Sequence, residues 1–370
     1  MSRNMDFPRV LIDQQKLLEN LNLLADLCHS RGMTMAAVGK GAAAHPAVMA
    51  AAEASRADFI ADARMDNLEG ISSAKPKLLL RISMASAVER VVRGCDVSAQ
   101  SEIATVRLLG EAAAKLGKRH KVMLMTDLGD LREGVFFRDR EAICALAEAV
   151  LEQPALELYG LGVNLSCFGG IMPDSVNMGN LIELAAMLRE KYGVELPLVS
   201  GGATSNLPTA VAGAYPLGPG GVTNLRLGES WLLGSDASGD GMVNVLPGLE
   251  QMHDDTMILE CELVEVQTKP SKPIGHTGHN AFGEEVEFVD QGTMLRGVCA
   301  MGRQDANLDG LIPLDERVRV LGGSSDHTII DLSDAPEYKV GDVLRFRMSY
   351  GCMLQAFTSP YVTKLVSRSL

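Results

Sequence analysis

The sequence predicts an α/β protein: a (β/α)8 barrel, TIM-like, followed by a C-terminal antiparallel β domain. Two observations carry that expectation. Over about the first 240 residues, eight short apolar or β-branched runs alternate with longer amphipathic stretches. Beyond Gly241 the texture changes to short strand-like runs separated by turn formers. The alternation demands parallel strands, because each crossover helix returns the chain to the same end. An open doubly wound sheet is the alternative. The count of eight, and no GxGxxG after an early strand, favour the barrel.

A helix over Asp13–Arg31 comes first, with Leu17, Leu18, Leu21 and Leu24 at helical spacing. The eight strands are expected at Met35–Val38, Asp58–Ala61, Lys77–Arg81, Cys95–Ser98, Lys121–Thr126, Leu156–Val163, Glu195–Val199 and Val222–Arg226. Helical patterns fill the gaps, among them Ser101–Leu116, Arg138–Leu151 and Ser175–Tyr192, the last closed by Gly193 as a C-cap. Further strands are expected at Thr256–Val266, Met294–Met301, Arg317–Leu321, Thr328–Leu332 and Val343–Met348. The boundary falls in a Gly- and Pro-containing stretch, giving a barrel over residues 1–245 and a β domain over 246–370.

Composition narrows the function. With 34 Lys and Arg against 47 Asp and Glu, the net charge is −13, a poor match for phosphodiester backbones. Aromatics are only 4%, so stacking platforms for single strands are scarce, and nucleic acid is set aside. The seven cysteines are odd in number, widely spaced and without CxxC, which reads as reduced intracellular thiols. No apolar run reaches 18 residues, and Met1–Val10 has no signal-peptide h-region. A cytoplasmic protein without a membrane span is expected.

A barrel builds its site at the C-terminal ends of its strands. There the sequence places Lys40 after the first strand, Asp62 and Arg64 after the second, and Arg81 at the end of the third. "TDLGDLREG" follows the fifth, Asn164 the sixth, "SGGATSN" the seventh, and Arg226 with Gly228 the eighth. A lone Lys at an apolar mouth is expected to be partly desolvated, which favours the nucleophilic amine. A small, hydroxyl-rich loop at a helix start presents N–H groups to a phosphate. An amine for an aldehyde and a cradle for a phosphate together suggest pyridoxal 5′-phosphate. Taken singly, each feature also has a plain reading: a solvated Lys, a Gly/Ser/Asn loop, a surface cluster of Asp127, Asp130, Arg132 and Glu133, or an Arg226–Glu229 ion pair.

Longer motifs carry a resemblance. "AAVGKGAAAHP", "FIADARMDNL", "LMTDLGDLREGVFF", "GLGVNLSCFGG", "LPLVSGGATSNLP", "GVTNLRLGESWLLG" and "LGGSSDHTIIDL" are similar to the fold-type III, alanine-racemase-like family of pyridoxal-phosphate enzymes, nearest its ornithine racemase branch. The resemblance implies a homodimer and Cα proton abstraction from an external aldimine, formed when an amino acid, such as ornithine or lysine, displaces Lys40. It implies Lys40 as the Schiff-base lysine and Arg132 as a contact of the cofactor oxygen or substrate carboxylate. Asn164 takes the place against the pyridine ring, where a His is common, and Arg226 faces the ring nitrogen. Ser200, Gly202, Thr204 and Ser205 fall in the phosphate loop, with backbone N–H groups of Gly228 and Glu229 added. Asp326 matches an acidic residue that reaches the partner's site. The tyrosine that serves as second base in alanine racemases is missing from "KPSKPIGHTGHNAFG". His279 and Tyr350 are the candidates. The tyrosine that touches the phosphate is also missing, with Ala42–Ala44 in its stretch. Asp62, Asp130 and Glu133 are available for a substrate ammonium.

No metal is expected. "DANLDGLIPLDE" fits the EF-hand pattern, but its flanks read as strands rather than helices. His276 and His279 form an HxxH pair without an evident third ligand. The competing functions are another reaction on the same scaffold (decarboxylase, D-amino-acid aldolase or dehydratase) and a non-catalytic regulatory protein. The aldolase and dehydratase members of the family use a metal in the β domain, and the regulatory members lack that domain.

Overall fold

The structure is a computed structural model and describes residues 7–237, 246–285 and 287–367. The chain divides into two compact units, Gln14–Asp254 and a second built from Met1–Asp13 with Asp255–Leu370. The first strand, β1 (Arg9–Ile12), therefore belongs with the C-terminal part of the chain, which differs from the single cut expected at 245/246. Residue 245 closes the stretch 238–245, which lies outside the described residues.

The first unit runs α1 (Gln14–His29), β2 (Thr34–Val38), α2 (Pro46–Ala54), β3 (Phe59–Asp62), α3 (Met65–Gly70), β4 (Lys77–Leu79), α4 (Val88–Gly94), β5 (Val97–Gln100) and α5 (Ile103–Lys115). It continues through β6 (His120–Asp127), β7 (Val135–Phe136), α6 (Arg140–Leu151), β8 (Leu156–Val163), α7 (Ser175–Tyr192), β9 (Leu198–Ser200), α8 (Leu207–Val211), β10 (Asn224–Leu227) and α9 (Glu229–Leu233). Eight of these strands close a parallel barrel in the order β2-β3-β4-β5-β6-β8-β9-β10, with β10 pairing back to β2. The two-residue β7 lies against the end of β6. Each expected strand is present; β5 and β9 lie a few residues later than the apolar runs suggested.

Alternate residues of the strands fill the barrel. Ala36, Val38, Phe59, Ala61, Leu78, Val97, Ala99, Met123, Met125 and Leu198 form one buried apolar cluster. Each large member buried contributes roughly 1.5–3 kcal/mol, and none brings a polar atom that needs a partner. Helix α7 shows how the sequence sets an element's ends. Asp174 and Asn177 form a capping box, and Gly193 closes the helix in the left-handed region at φ 65°. Among the described residues, no helix is long and apolar enough to cross a membrane.

The second unit is antiparallel in the main. Its strands are β1, β11 (Met257–Pro270), β12 (Thr293–Cys299), β13 (Leu311–Pro313), β14 (Arg319–Gly323), β15 (Thr328–Asp331), β16 (Val343–Met348) and β17 (Thr363–Val366). The order β13-β16-β11-β12-β15-β14 forms the sheet, and β1 joins it by pairing antiparallel with β11 and parallel with β17. The sequence reading missed β1, β13 and β17, which are short and whose partners lie far along the chain. Tyr350, just past the strand expected at Val343–Met348, opens helix α10 (Tyr350–Thr358), with Ser349 Oγ capping the Cys352 N–H. The EF-hand-like segment holds a 3-10 turn at Leu308–Gly310 and β13.

Outside the barrel wall, Ser83, Ser98, Gln100 and His120 form a buried polar chain. Gln100 Nε2 donates to Ser83 Oγ at 2.6 Å and to Ser98 Oγ at 2.9 Å, and Ser98 Oγ pairs with His120 Nε2 at 2.8 Å. Burial pushes the imidazole down to about 4. The folded value lies below the unfolded one of ~6.5, so the unfolded chain binds the extra proton between those limits. Stability is present above the unfolded value and is lost as pH falls toward the folded one. His120→Gln is expected to remove on the order of 3 kcal/mol from the acid loss of stability between pH 7 and 4. Urea melts at several pH values measure this, and parallel curves for the two proteins would clear His120 of the effect.

Candidate active site

Arg226 is the centre of the barrel mouth. It lies at the end of β10, only 4% exposed. Its Nη1 donates to Ser200 Oγ at 2.6 Å, and its Nη2 to the Val163 carbonyl at 2.7 Å and to Asn164 Oδ1 at 2.9 Å. One side chain thus joins the ends of β8, β9 and β10. Ser200 Oγ donates onward to Asn224 Oδ1 at 2.7 Å, and Asn224 Nδ2 reaches Thr34 Oγ1 at 3.1 Å on β2. Burial pushes the guanidinium down to about 10, against the field of Glu133, so it stays charged at neutral pH.

The segment after β6 is shaped by its own acids. Asp127 Oδ1 accepts the Gly129 N–H at 2.8 Å and the Leu131 N–H at 3.1 Å. Gly134 then brings the chain back onto β6 at φ 121°, where a Cβ would lie 2.5 Å from the Thr126 carbonyl carbon. Arg132 and Glu133 are held between these points. Arg132 Nε and Nη2 both donate to the Glu133 carboxylate, which also accepts from Asn164 Nδ2. Burial works to raise the Glu133 carboxyl, but Arg132 and Asn164 outweigh it and hold it below its ordinary value. Glu133 in turn holds Arg132 above its own. The sequence offered one signal for this role of Glu133, its adjacency to Arg132.

Asp130 is committed differently. Its Oδ1 accepts the N–H groups of Ser166, Gly169 and Ile171 at 3.1–3.2 Å, and its Oδ2 that of Phe168 at 3.1 Å. It clasps the loop after β8. Of the three acids considered for a substrate ammonium, Asp130 and Glu133 are therefore already engaged. Asp62 is fully buried, with Oδ1 accepting from the Arg64 N–H and Asn67 Nδ2 and with Oδ2 unpartnered. Burial pushes its carboxyl up.

Lys40 opens a 3-10 turn, Lys40–Ala42, directly after β2 and Gly39. It is exposed, which corrects the expected desolvation: β2 ends before the lysine, so the apolar wall stops short of it. Its ammonium makes no hydrogen bond or ion pair among the described residues. The loop after β9 turns through Gly202 at φ 104° into a 3-10 turn, Thr204–Asn206. Asn206 fixes it by donating from Nδ2 to the Gly201 carbonyl at 2.6 Å and accepting from Tyr215 at 2.8 Å. Thr204 Oγ1 meets Ser230 Oγ at 3.3 Å, joining this loop to the Gly228–Ser230 segment.

A pyridoxal-phosphate group fits these residues. A free amine stands at one strand end, a buried cation at the neighbouring strand end, and a glycine-bearing turn with unused N–H donors lies alongside. Lys40, Arg132, Asn164, Ser200, Gly202, Thr204, Ser205, Arg226, Gly228 and Glu229 all lie at the C-terminal ends of the barrel strands. His279, Asp326 and Tyr350 lie in the second unit. His279 is exposed, 3.9 Å from Glu285; Asp326 is exposed and accepts from Gln304 Nε2 at 2.7 Å; Tyr350 is half-buried. Among the described residues, no three His, Cys, Asp or Glu are grouped to hold a metal ion.

Comparison with known proteins matches this arrangement. The family described as alanine racemase, N-terminal domain, matches residues 12–228. The chain is 39% identical over 361 residues to an ornithine racemase of Acetoanaerobium sticklandii, covering 97% of this chain and 99% of that one. It is 33% identical over 369 residues to a lysine racemase of Thermotoga maritima, covering 99% and 100%. Among solved structures, alanine racemase from Streptomyces coelicolor A3(2) superposes with a TM-score of 0.70 at 17% identity, covering 98% of each chain. With its closed parallel barrel, its separate β sheet and these full-length relatives, the chain belongs to the alanine racemase family.

Proposed function

We propose that this protein is a pyridoxal-phosphate-dependent racemase that interconverts the L and D forms of a basic amino acid such as ornithine or lysine. The observation that carries the reading is the pairing of the unengaged Lys40 amine with the buried Arg226, anchored through Nη1 and Nη2, at one barrel mouth. The full-length likeness to an ornithine and a lysine racemase supports the substrate class. The cytoplasm is the compartment that fits seven free cysteines.

The cofactor supplies an electron sink that makes the substrate's Cα proton acidic. The chain's own groups do the rest. Arg132, its Nε and Nη2 fork fixed by Glu133, is the group assigned to the substrate carboxylate. Arg226 stays charged and offers only donors, so it would favour the unprotonated form of the cofactor's ring nitrogen. An unprotonated ring would be a weaker sink, which would favour return of the proton to Cα. Gly202, Thr204, Ser205 and the N–H groups of Gly228 and Glu229 would hold the phosphate, with Ser200, committed to Arg226 and Asn224, behind them. Lys40 moves the proton on one face.

The other face needs a second base, which we assign to His279 of a second copy, with Tyr350 as the alternative. His279 is exposed on its loop and free to reach outward, while Tyr350 is partly covered. Asp326 serves the substrate end from the same unit. A homodimer is supported by exposed apolar side chains near the mouth, with Phe168 at 73% and Leu131 at 68%.

Solvent deuterium incorporation at Cα, followed with both enantiomers across a panel of amino acids, tests the reading. Exchange is expected to be fastest for ornithine or lysine. Lys40→Ala is expected to abolish the near-visible cofactor absorbance and to slow exchange at least ~10²-fold. Exchange confined to other amino acids, or carbon dioxide or aldehyde release in place of exchange, would refute it. His279→Ala is expected to slow abstraction from one enantiomer by about 10²–10⁴-fold while the other still exchanges. The same asymmetry in Tyr350→Phe, with His279→Ala unaffected, would move the assignment to Tyr350. Sedimentation is expected to give twice the 39.5 kDa chain mass, and a monomer would count against the second copy.

A further inference from the structure

Two arginines at the mouth stand near one carboxylate, and only one of them touches it. Arg132 meets Glu133 directly, Nη2 donating to Oε1 at 2.6 Å and Nε to Oε2. Arg226 has no carboxylate bonded to it; its donors end on Ser200 Oγ, the Val163 carbonyl and Asn164 Oδ1. Asn164 closes the gap. Its Oδ1 accepts from Arg226 Nη2 at 2.9 Å, and its Nδ2 donates to Glu133 Oε1, the oxygen that Arg132 also reaches.

An amide carries its donors and its acceptor at opposite ends. Turned over, Asn164 would set its NH2 against the Arg226 donors and its oxygen against the Glu133 carboxylate. One orientation therefore satisfies both neighbours. In it a cation sits at the oxygen and an anion at the NH2, so each charge strengthens the bond at the other end. Burial works against the Arg226 charge, and the field of Glu133 is the largest that supports it. The other acids of the segment, Asp127 and Asp130, bond backbone N–H groups and neither arginine. The Glu133 carboxylate itself is held from both sides, by Arg132 and by Asn164.

We propose that Glu133 is a positioning residue that serves both arginines as counter-ion, Arg132 by direct contact and Arg226 through the Asn164 amide. The proposal rests on the pyridoxal-phosphate reading above, in which Arg132 takes the substrate carboxylate and Arg226 faces the cofactor ring. Glu133 is assigned to neither ligand and sets the geometry of both contacts. One side chain then has two separable effects. Its effect on carboxylate recognition does not need Asn164, and its effect on Arg226 does.

Glu133→Ala, Asn164→Ala and the double variant are compared with wild type in two measurements. The first titrates the full chain, cleared of cofactor, with pyridoxal 5′-phosphate and reads Arg226. Each single variant is expected to raise the dissociation constant about tenfold. The double variant is expected to match the weaker-binding single variant within about twofold, because both substitutions cut the same link. The second reads Arg132 in the holoenzyme, through the change in cofactor absorbance on adding ornithine or putrescine, and lysine or cadaverine. Each amine is the amino acid without its carboxyl group. Glu133→Ala is expected to cut the preference for the amino acid about tenfold, with Asn164 present or replaced. A general loss of structure would weaken amine and amino acid together and leave that preference unmoved. Glu133→Gln, uncharged and of the same shape, is the second variant, expected to give the same pattern with smaller changes. Cofactor affinity unchanged in Glu133→Ala would overturn the proposal. So would single effects that multiply in the double variant, or an unmoved preference for the amino acid. Failure of wild type to bind pyridoxal phosphate at all would overturn the cofactor reading and this proposal with it, an outcome distinct from the other three.

Discussion

A guanidinium taken out of water at the top of an apolar barrel is the constraint around which the first unit is organised. Removing Arg226 from solvent costs several kcal/mol unless its donors are met. Three acceptors from the ends of β8, β9 and their loops meet them. Because β10 reaches β8 only across β9, the guanidinium fixes the spacing of three consecutive strand ends. The residues that satisfy it, Ser200 and Asn164, are bonded onward to Asn224 and Glu133. Breaking one bond would leave a buried charge short of partners, at a cost of a few kcal/mol. That makes the mouth stiff before any ligand enters, which is what placement of reacting groups requires.

Two acids extend that order into the loops. Asp130 gathers four backbone N–H groups of the loop after β8, and Glu133 ties Arg132 to Asn164 in the same loop. A carboxylate that accepts several N–H bonds replaces the secondary structure the loop lacks. The consequence is chemical as well as mechanical. Among the described residues, Glu133 is the carboxylate hydrogen-bonded into the network of Arg132 and Asn164, while Lys40 and Arg226 have no carboxylate bonded to them.

Most of the barrel was legible beforehand, and the reason is periodicity. Parallel strands buried on both faces read as short apolar runs, and the helices between them show a 3.6-residue repeat. The ends of α7 were legible because capping chemistry is local. Strand β1 was not, because four residues carry no period and its partners, β11 and β17, lie about 250 and 350 residues on. Helix α10 was not legible either, because "MSYGC" follows a strand without a break, and only the Ser349 cap shows that the chain has turned into a helix.

The site divides the same way. Residue types at strand ends, Lys40, Arg226, Asn164 and the "SGGATSN" loop, follow from local pattern, since the barrel rule places every strand end at one mouth. What each acid does there could not be read from the chain. Asp62, Asp130 and Glu133 were equivalent as letters. Packing made one a buried carboxyl with a free oxygen, one a loop clasp and one a counter-ion. Hydrogen-bond partners lie at distances along the chain that no pattern encodes, so the sequence determined which groups gather at the mouth, and the tertiary structure decided which of them remain free to react.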